Sequence, residues 1–278
     1  MKRILVTGAT GRVGREVVQQ LVDSGVPVRA LTRNPETASL PAEAQVVAGD
    51  LERPETIAAA LDGVTDVFLL WTAPPATAPE VIALLGQSVQ HVVYLSAPHN
   101  IDHPFFRQPN RMAVMHAEVE RLLAAQPVKT TILRPGMFAS NTRMWWAAQI
   151  AKGDVVRWPF ANVETAPIDE RDIAAVAVKA LVDDAYAGGD YVLTGPEAIT
   201  HAEQVRAIGE ALGRDLQYVE LTPDEFRQDM AGQAPPPVVE MLLNAWSATN
   251  GVPAYRTDTV REITGRPART FQEWAREF

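Results

Sequence analysis

The sequence predicts an α/β fold built on a doubly wound parallel sheet, and three observations predict it. Short runs rich in Val, Ile and Leu alternate with longer segments of helical spacing. A three-glycine turn joins the first run to the first helix. No internal repeat or low-complexity tract interrupts the rhythm. Such alternation implies right-handed crossovers and a parallel sheet with helices on both faces. At 278 residues the chain has room for one large domain or a main domain with an annex.

Strands are expected over 4–7, 26–32, 45–48, 64–71, 91–96 and 129–133, where β-branched and leucine residues cluster between turn signals. After the first strand, Val13, Val17, Val18 and Leu21 share one helical face until Gly25 offers a left-handed stop. Further helices are expected over 54–61, 79–85 and 110–125. After Arg134-Pro135-Gly136 the rhythm changes to longer helices, with isolated strands near 154–157, 190–193 and 217–220. The chain is therefore divided into a main domain over 1–136 and a smaller α+β region over 137–278, some of whose elements return to the main sheet. The stretch 233–238, with Pro235, Pro236 and Pro237, reads as a linker between helices.

Composition narrows the function. Lys+Arg 25 against Asp+Glu 34 gives a net charge of -9 with no basic run, which argues against nucleic acid or an anionic membrane as partner. Cysteine is absent, so disulfides and thiolate chemistry are impossible, as suits a reducing compartment. The strand pattern begins by Arg3, leaving no space for a secretory leader, and no apolar run reaches membrane-spanning length. A cytoplasmic monomer or homodimer acting on a small molecule is the expectation.

The glycine turn, in 5-LVTGATGRVGREVVQQLV-22, is the most informative stretch. Gly8 permits the tight bend, Gly11 lets a bulky anion approach the main chain, and Gly14 lets the helix pack against the strand. The free N–H groups of the first helical turn, with Thr10, Arg12 and Val13 around them, then face that anion. In this strand–turn–helix context the motif reads as the pyrophosphate site of a Rossmann-type dinucleotide-binding domain. The second strand ends in 29-RALTRNP-35, without the acid that would bind the ribose hydroxyls of NAD. Arg33 instead offers a planar fork for a 2′-phosphate, with Arg12 assisting, so the expected cofactor is NADP(H). Asp50, next to Leu51 in 49-GDL-51, either accepts from the adenine amino group or opens a helix. Trp71 and Thr72, ending the fourth strand, join the expected cofactor contacts.

Several segments together resemble one family: TGATGRVG, 49-GDL-51, 93-VYLSA-97, 131-TILRPGMF-138, 168-IDERDIA-174 and 191-YVLTGPEAIT-200. The chain resembles the atypical short-chain dehydrogenase/reductases of the NmrA-like kind over nearly its whole length. That resemblance implies either an NAD(P)H-dependent reductase of quinones or triphenylmethane dyes, or a regulator that binds the dinucleotide without turning it over. Standard members of the wider superfamily carry a Tyr-x-x-x-Lys pair followed by a glutamate. In 112-MAVMHAEVE-120 Met112 stands at the tyrosine position, His116 at the lysine position and Glu120 at the glutamate position.

His116 then either hydrogen-bonds the ribose and donates a proton, or is a satisfied histidine at the edge of the stripe Met112, Met115, Val119, Leu122 and Leu123. Ser96 matches the family's substrate-binding serine, or else is a strand-end hydroxyl tied to local backbone. These two are the catalytic candidates, and both are also candidate cofactor contacts. Pro135, Gly136, Met137 and Phe138 match the segment that passes the nicotinamide in relatives. Phe138, Trp145 and Trp146, with Trp71 and Trp158, suggest an apolar pocket for a flat substrate. His99 is a further substrate candidate, in the loop 97-APHNIDHPFFR-107. No metal is expected, because Pro104 breaks any helix that would align His99 and His103 beside Asp102. Asp169 and Asp172 read as an N-cap and a dipole complement. The expected function is an NADPH-dependent reductase of quinones, enones, imines or dyes. A non-catalytic NADP(H) sensor, or an isomerase or cyclase on the same fold, is the alternative.

Overall fold

The computed structural model describes residues 2–108 and 111–278; Asn110, where the sequence starts a helix, lies outside the described residues. Each expected strand of the first half forms, and helices link them: β1 (Ile4–Val6), α1 (Arg12–Asp23), β2 (Val28–Thr32), β3 (Gln45–Ala48), α2 (Ile57–Ala60), β4 (Asp66–Leu70), α3 (Ala78–Ser88), β5 (His91–Leu95), α4 (Arg111–Ala124) and β6 (Lys129–Pro135). The second half adds α5 (Asn141–Ile150), β7 (Val155–Pro159), β8 (Glu164–Thr165), α6 (Glu170–Val182), β9 (Asp190–Leu193), β10 (Ile199–Thr200), α7 (His201–Leu212), β11 (Gln217–Leu221), α8 (Pro223–Asp229), α9 (Pro236–Thr249), α10 (Thr259–Thr264) and α11 (Phe271–Ala275).

The main sheet runs β3-β2-β1-β4-β5-β6-β9, and every neighbouring pair is parallel. Its central strands are buried on both faces, which is why they read as continuous apolar runs instead of alternating ones. On one face α1 and α6 pack through Val13, Val17, Leu21, Ile173 and Ala177; on the other α3 and α4 pack through Val81, Ile82, Leu85, Val119 and Leu123. Strand order reverses between β1 and β4, so a crevice opens beyond their C-terminal ends, the usual ligand position in open α/β sheets. A third core, around Trp146, Trp158, Phe226 and Trp246, belongs to the second half.

Four expectations are corrected. The stretch 233–238 is not all linker: Pro235 caps α9 and Pro236 opens it, at a place where the missing N–H would have no helical partner. Residues 54–61 begin as a 3-10 turn, Pro54–Thr56, before α2. Strand β6 runs on through Pro135, so Arg134 lies inside the sheet and not in the turn after it. Asp169 does cap α6, accepting from Arg171 N at 2.8 Å, and Asp172 does stand in its first turn, but it is fully buried and not a dipole complement alone. It accepts from Arg266 Nη1 at 2.8 Å and Arg269 N at 2.6 Å, so it anchors the C-terminal segment to α6. Among the described residues no helix is long and apolar enough to cross a membrane.

Candidate functional site

The glycine turn sits at the β1/β4 crevice. Gly8 has φ +60, and its carbonyl accepts from Gly11 N at 2.9 Å, which closes the bend. A methyl on Gly14 would lie 2.1 Å from that same carbonyl oxygen, so the helix starts in backbone contact with the turn. Gly11 caps α1 without a side chain, and the first turn carries no acid. Its N–H groups therefore favour an anion, and Val13, buried by its side chain, contributes through the backbone alone.

Two grooves flank Thr10. One, of about 170 Å³, is bordered by Gly8, Arg33, Asp50, Leu51 and Thr72; the other, of about 330 Å³, by Gly11, Arg12 and Ser140. Arg33 is exposed at the first groove. Arg12 does not join it, contrary to expectation: its Nη1 donates to Ser140 Oγ at 2.7 Å, in the second groove. Ser140 in turn donates to the buried Glu170. Asp50 borders the groove and also accepts from Glu52 N at 3.0 Å, so it holds the turn that opens the next helical segment. Trp71 is corrected, because its side chain is 2% exposed and packs in the core beneath α3.

On α4 the inherited positions are occupied by different chemistry. His116 Nδ1 lies 2.6 Å from the hydroxyl of Tyr94. Burial pushes the His116 pKa down to about 4, against the opposing pull of Glu120. The ring is thus neutral at physiological pH, which corrects the expectation of a proton donor poised near neutrality. One turn on, Glu120 takes both Nη atoms of Arg134 at 2.8 Å, and Arg134 also holds Asp190 at 2.7 and 3.0 Å. Ser96 donates its hydroxyl to Glu120, and His99 Nε2 lies 3.0 Å from the same carboxylate. Ser96 and His99 therefore share a partly buried network that joins β5, α4, β6 and β9. Burial alone would raise the Glu120 carboxyl, but the hydrogen bonds from Arg134 and Ser96 hold it below its ordinary value.

A pH prediction follows from His116. Unfolded, the ring accepts a proton near its ordinary value of 6.5; folded, it does so only near 4. The contribution is present above the unfolded value and is lost as pH falls between the two, by about 2 kcal/mol. His116→Gln keeps a partner for Tyr94 and is expected to flatten that loss. Urea midpoints at about pH 7 and about pH 4.5 measure it; an unchanged difference between the two would contradict the assignment.

The segment after β6 opens onto a small, partly open cavity of about 20 Å³, bordered by His103, Phe105, Phe106, Gly136, Met137, Glu164 and Tyr255. Phe138 faces elsewhere: it packs against the core under α1 and α6, and its bridge to Ile168 fixes it there. The expected tryptophan pocket also divides. Trp146 is fully buried in the third core. Trp145 stacks on Trp158 at 5.6 Å, and both border a separate open groove of about 470 Å³ with Met144, Met230 and Leu242. Sequence reasoning missed Phe105, Phe106, Glu164 and Tyr255. The adjacent phenylalanines after Pro104 were a readable signal; Glu164 and Tyr255 carry no local pattern.

A parallel sheet wound on both sides of the β1/β4 crevice, with a glycine turn at that crevice, defines a Rossmann-type α/β protein. More particularly, the chain belongs to the NmrA-like family, whose model matches residues 1–275. It is 39% identical over 282 residues to the (4-alkanoyl-5-oxo-2,5-dihydrofuran-3-yl)methyl phosphate reductase of Streptomyces griseus, covering 99% of this chain and 97% of that protein. It is 35% identical over 286 residues to the NAD(P)H azoreductase of Xenophilus azovorans, covering 98% and 96%. The structure of the NADPH-dependent quinone oxidoreductase of Escherichia coli complexed with NADPH aligns with a TM-score of 0.82 at 23% identity, over 99% of each chain. That likeness speaks to the fold.

Proposed function

We propose that this chain is an NADPH-dependent reductase that delivers hydride to an apolar electrophilic small molecule such as a quinone, an enone, an imine or a dye. The observation that carries the reading is the alignment of three features along the C-terminal ends of one sheet. These are the glycine turn after β1, the Arg33 groove after β2, and the aromatic cavity after β6. NADP(H) fits the residues present: Gly11 caps α1 with no side chain and the first turn has no acid, so the backbone is bare where a pyrophosphate must approach, and exposed Arg33 suits a 2′-phosphate.

In this reading the first-turn N–H groups of α1 hold the pyrophosphate, Arg33 holds the 2′-phosphate, and Gly136 and Met137 border the reacting end. When bound, the nicotinamide supplies the hydride. The chain's own contribution is position and exclusion of water, since Met112 replaces the usual acid and His116 is neutral. The reductase names of the two curated relatives support the general activity; the substrate classes are our proposal.

Arg33→Asp tests the cofactor assignment. Losing a charge-assisted contact and placing a carboxylate by the phosphate is expected to weaken NADPH binding by about ten- to a hundredfold while sparing NADH. Fluorescence titration with both nucleotides, together with NADPH consumption over the four substrate types, measures it. Unchanged preference would remove Arg33 from the site, and absence of turnover with every type would remove the reductase reading.

A further inference from the structure

The groove of about 470 Å³ is framed by α5, β7, α8 and α9, and no residue of the glycine turn, of the Arg33 groove or of the cavity after β6 borders it. Its volume lies within the range of about 300–1,000 Å³ that suits a small organic molecule. Helical spacing makes its walls apolar. Met144 and Trp145 stand one turn before Ala148 on α5, and Val238 stands one turn before Leu242 on α9.

Two features say which molecule fits. The first is a ring stack, Trp145 on Trp158, with the planes 25° apart. Trp158 is 1% exposed and is held edge-on by Phe226 at 4.8 Å and Trp246 at 5.4 Å. Trp145 is only partly buried, so the stack is fixed at one end and reachable at the other. An aromatic ring laid on Trp145 lengthens it, with the soft thioethers of Met144 and Met230 at the margin. The second feature is charge. The chain carries a net charge of -9, yet Lys152 and Arg157 border this groove against Asp229 alone. Arg157 Nε donates to Asp229 at 2.9 Å, and neighbouring Asp154 is held by Arg214 Nε at 2.7 Å. Exposed Lys152 is left without an ion-pair partner among the described residues. The buried indole N–H of Trp158 also finds no acceptor there, which favours a ligand bearing oxygen over a purely apolar one. Seven helical residues separate Trp145 from Lys152, about 10 Å along the axis, and a lysine side chain leans back toward the helix N-terminus. A bicyclic ring with an acid at its end spans what remains.

We propose that this groove is a second small-molecule site, and that it takes a planar aromatic carboxylate with the ring on Trp145 and the carboxylate at Lys152. The inference does not rest on the reductase reading. Calorimetric titration of the nucleotide-free protein with 2-naphthoate, neutral 2-naphthamide and decanoate tests it. The naphthoate is expected to bind tightest, about three- to fivefold better than the amide at low salt, with the gap closing at high salt. Lys152→Gln should close the same gap by weakening the acid alone. Ala148→Trp fills the groove from an exposed helix position, and is expected to weaken both naphthalenes by at least about tenfold while leaving NADPH affinity unchanged. No saturable binding, binding unmoved by Ala148→Trp, an amide as tight as the acid, or a tighter decanoate would each overturn the proposal. So would a native dimer in sedimentation velocity that Ala148→Trp dissociates, since that result gives the groove to a second copy of the chain. Should Ala148→Trp not fold, the acid-to-amide ratio in Lys152→Gln still decides. Loss of NADPH binding with naphthoate binding intact removes the reductase reading and leaves this inference standing.

Discussion

Gly14→Ala is expected to destabilise the fold by about 3 kcal/mol or more and to weaken NADPH binding by over about a hundredfold. The new methyl would stand 2.1 Å from Gly8 O and 2.7 Å from Gly8 C, and both are backbone atoms that cannot rotate away. Alanine gains about 1 kcal/mol over glycine in a helix, which does not offset a collision of that depth. Relief requires α1 to withdraw from β1, and that withdrawal moves the first-turn N–H groups away from the anion they are proposed to hold. Stability and affinity should therefore fall together. Gly25→Ala separates this from a generic glycine effect: Gly25 has φ +68, but nothing lies within 4 Å of an added methyl. That variant should lose about 1 kcal/mol through backbone strain and keep its nucleotide affinity. Denaturant unfolding with NADPH titration of both variants decides the matter, and a Gly14→Ala protein that binds like the native chain would sink the account of the turn.

The fold was legible because its signals are local. Strands buried on both faces announce themselves as unbroken apolar runs, and Gly8, Gly11 and Gly14 carry their meaning within one turn of chain. The candidate site was legible where it touches that turn, because Arg33, Asp50 and Thr72, which border one groove, follow strand ends whose position the βαβ rhythm sets. What failed was orientation. Nothing in the spacing of Arg12 says that Ser140, far along the chain, will take its guanidinium. Likewise, aromatic content marked Trp146 and Phe138 as pocket walls, but burial is decided by which neighbours cover a ring: they cover Trp146 fully and Phe138 in part. The network around Ser96 and His99 was illegible for a related reason: the arginine that engages their shared carboxylate sits inside β6, where the sequence suggested a turn.

That arginine is the subject of the second large effect. Arg134→Met is expected to cost about 3 kcal/mol at neutral pH. Its side chain is 3% exposed and serves Glu120 and Asp190 at once, as well as the carbonyl of Ala97 at 2.9 Å. Methionine fills most of the volume, so packing is nearly conserved and the loss reports charge. The two carboxylates do not suffer equally. Asp190 is half exposed and can turn to water, whereas Glu120, 18% exposed, is left with Ser96 and His99. The effect should therefore depend on pH. In the native protein the Glu120 carboxyl is held below its ordinary value, so its contribution is present above the unfolded value and is lost as pH falls through the folded one. Without Arg134, burial acts with less opposition and the carboxyl rises, so the variant regains part of its deficit as pH falls and Glu120 takes up a proton. The difference between variant and native stability should shrink between about pH 7 and about pH 5, and adding Glu120→Gln should recover about 1–2 kcal/mol at neutral pH. A deficit that is constant with pH, or a double variant no more stable than Arg134→Met, would mean that the network holds these strands by shape and not by charge.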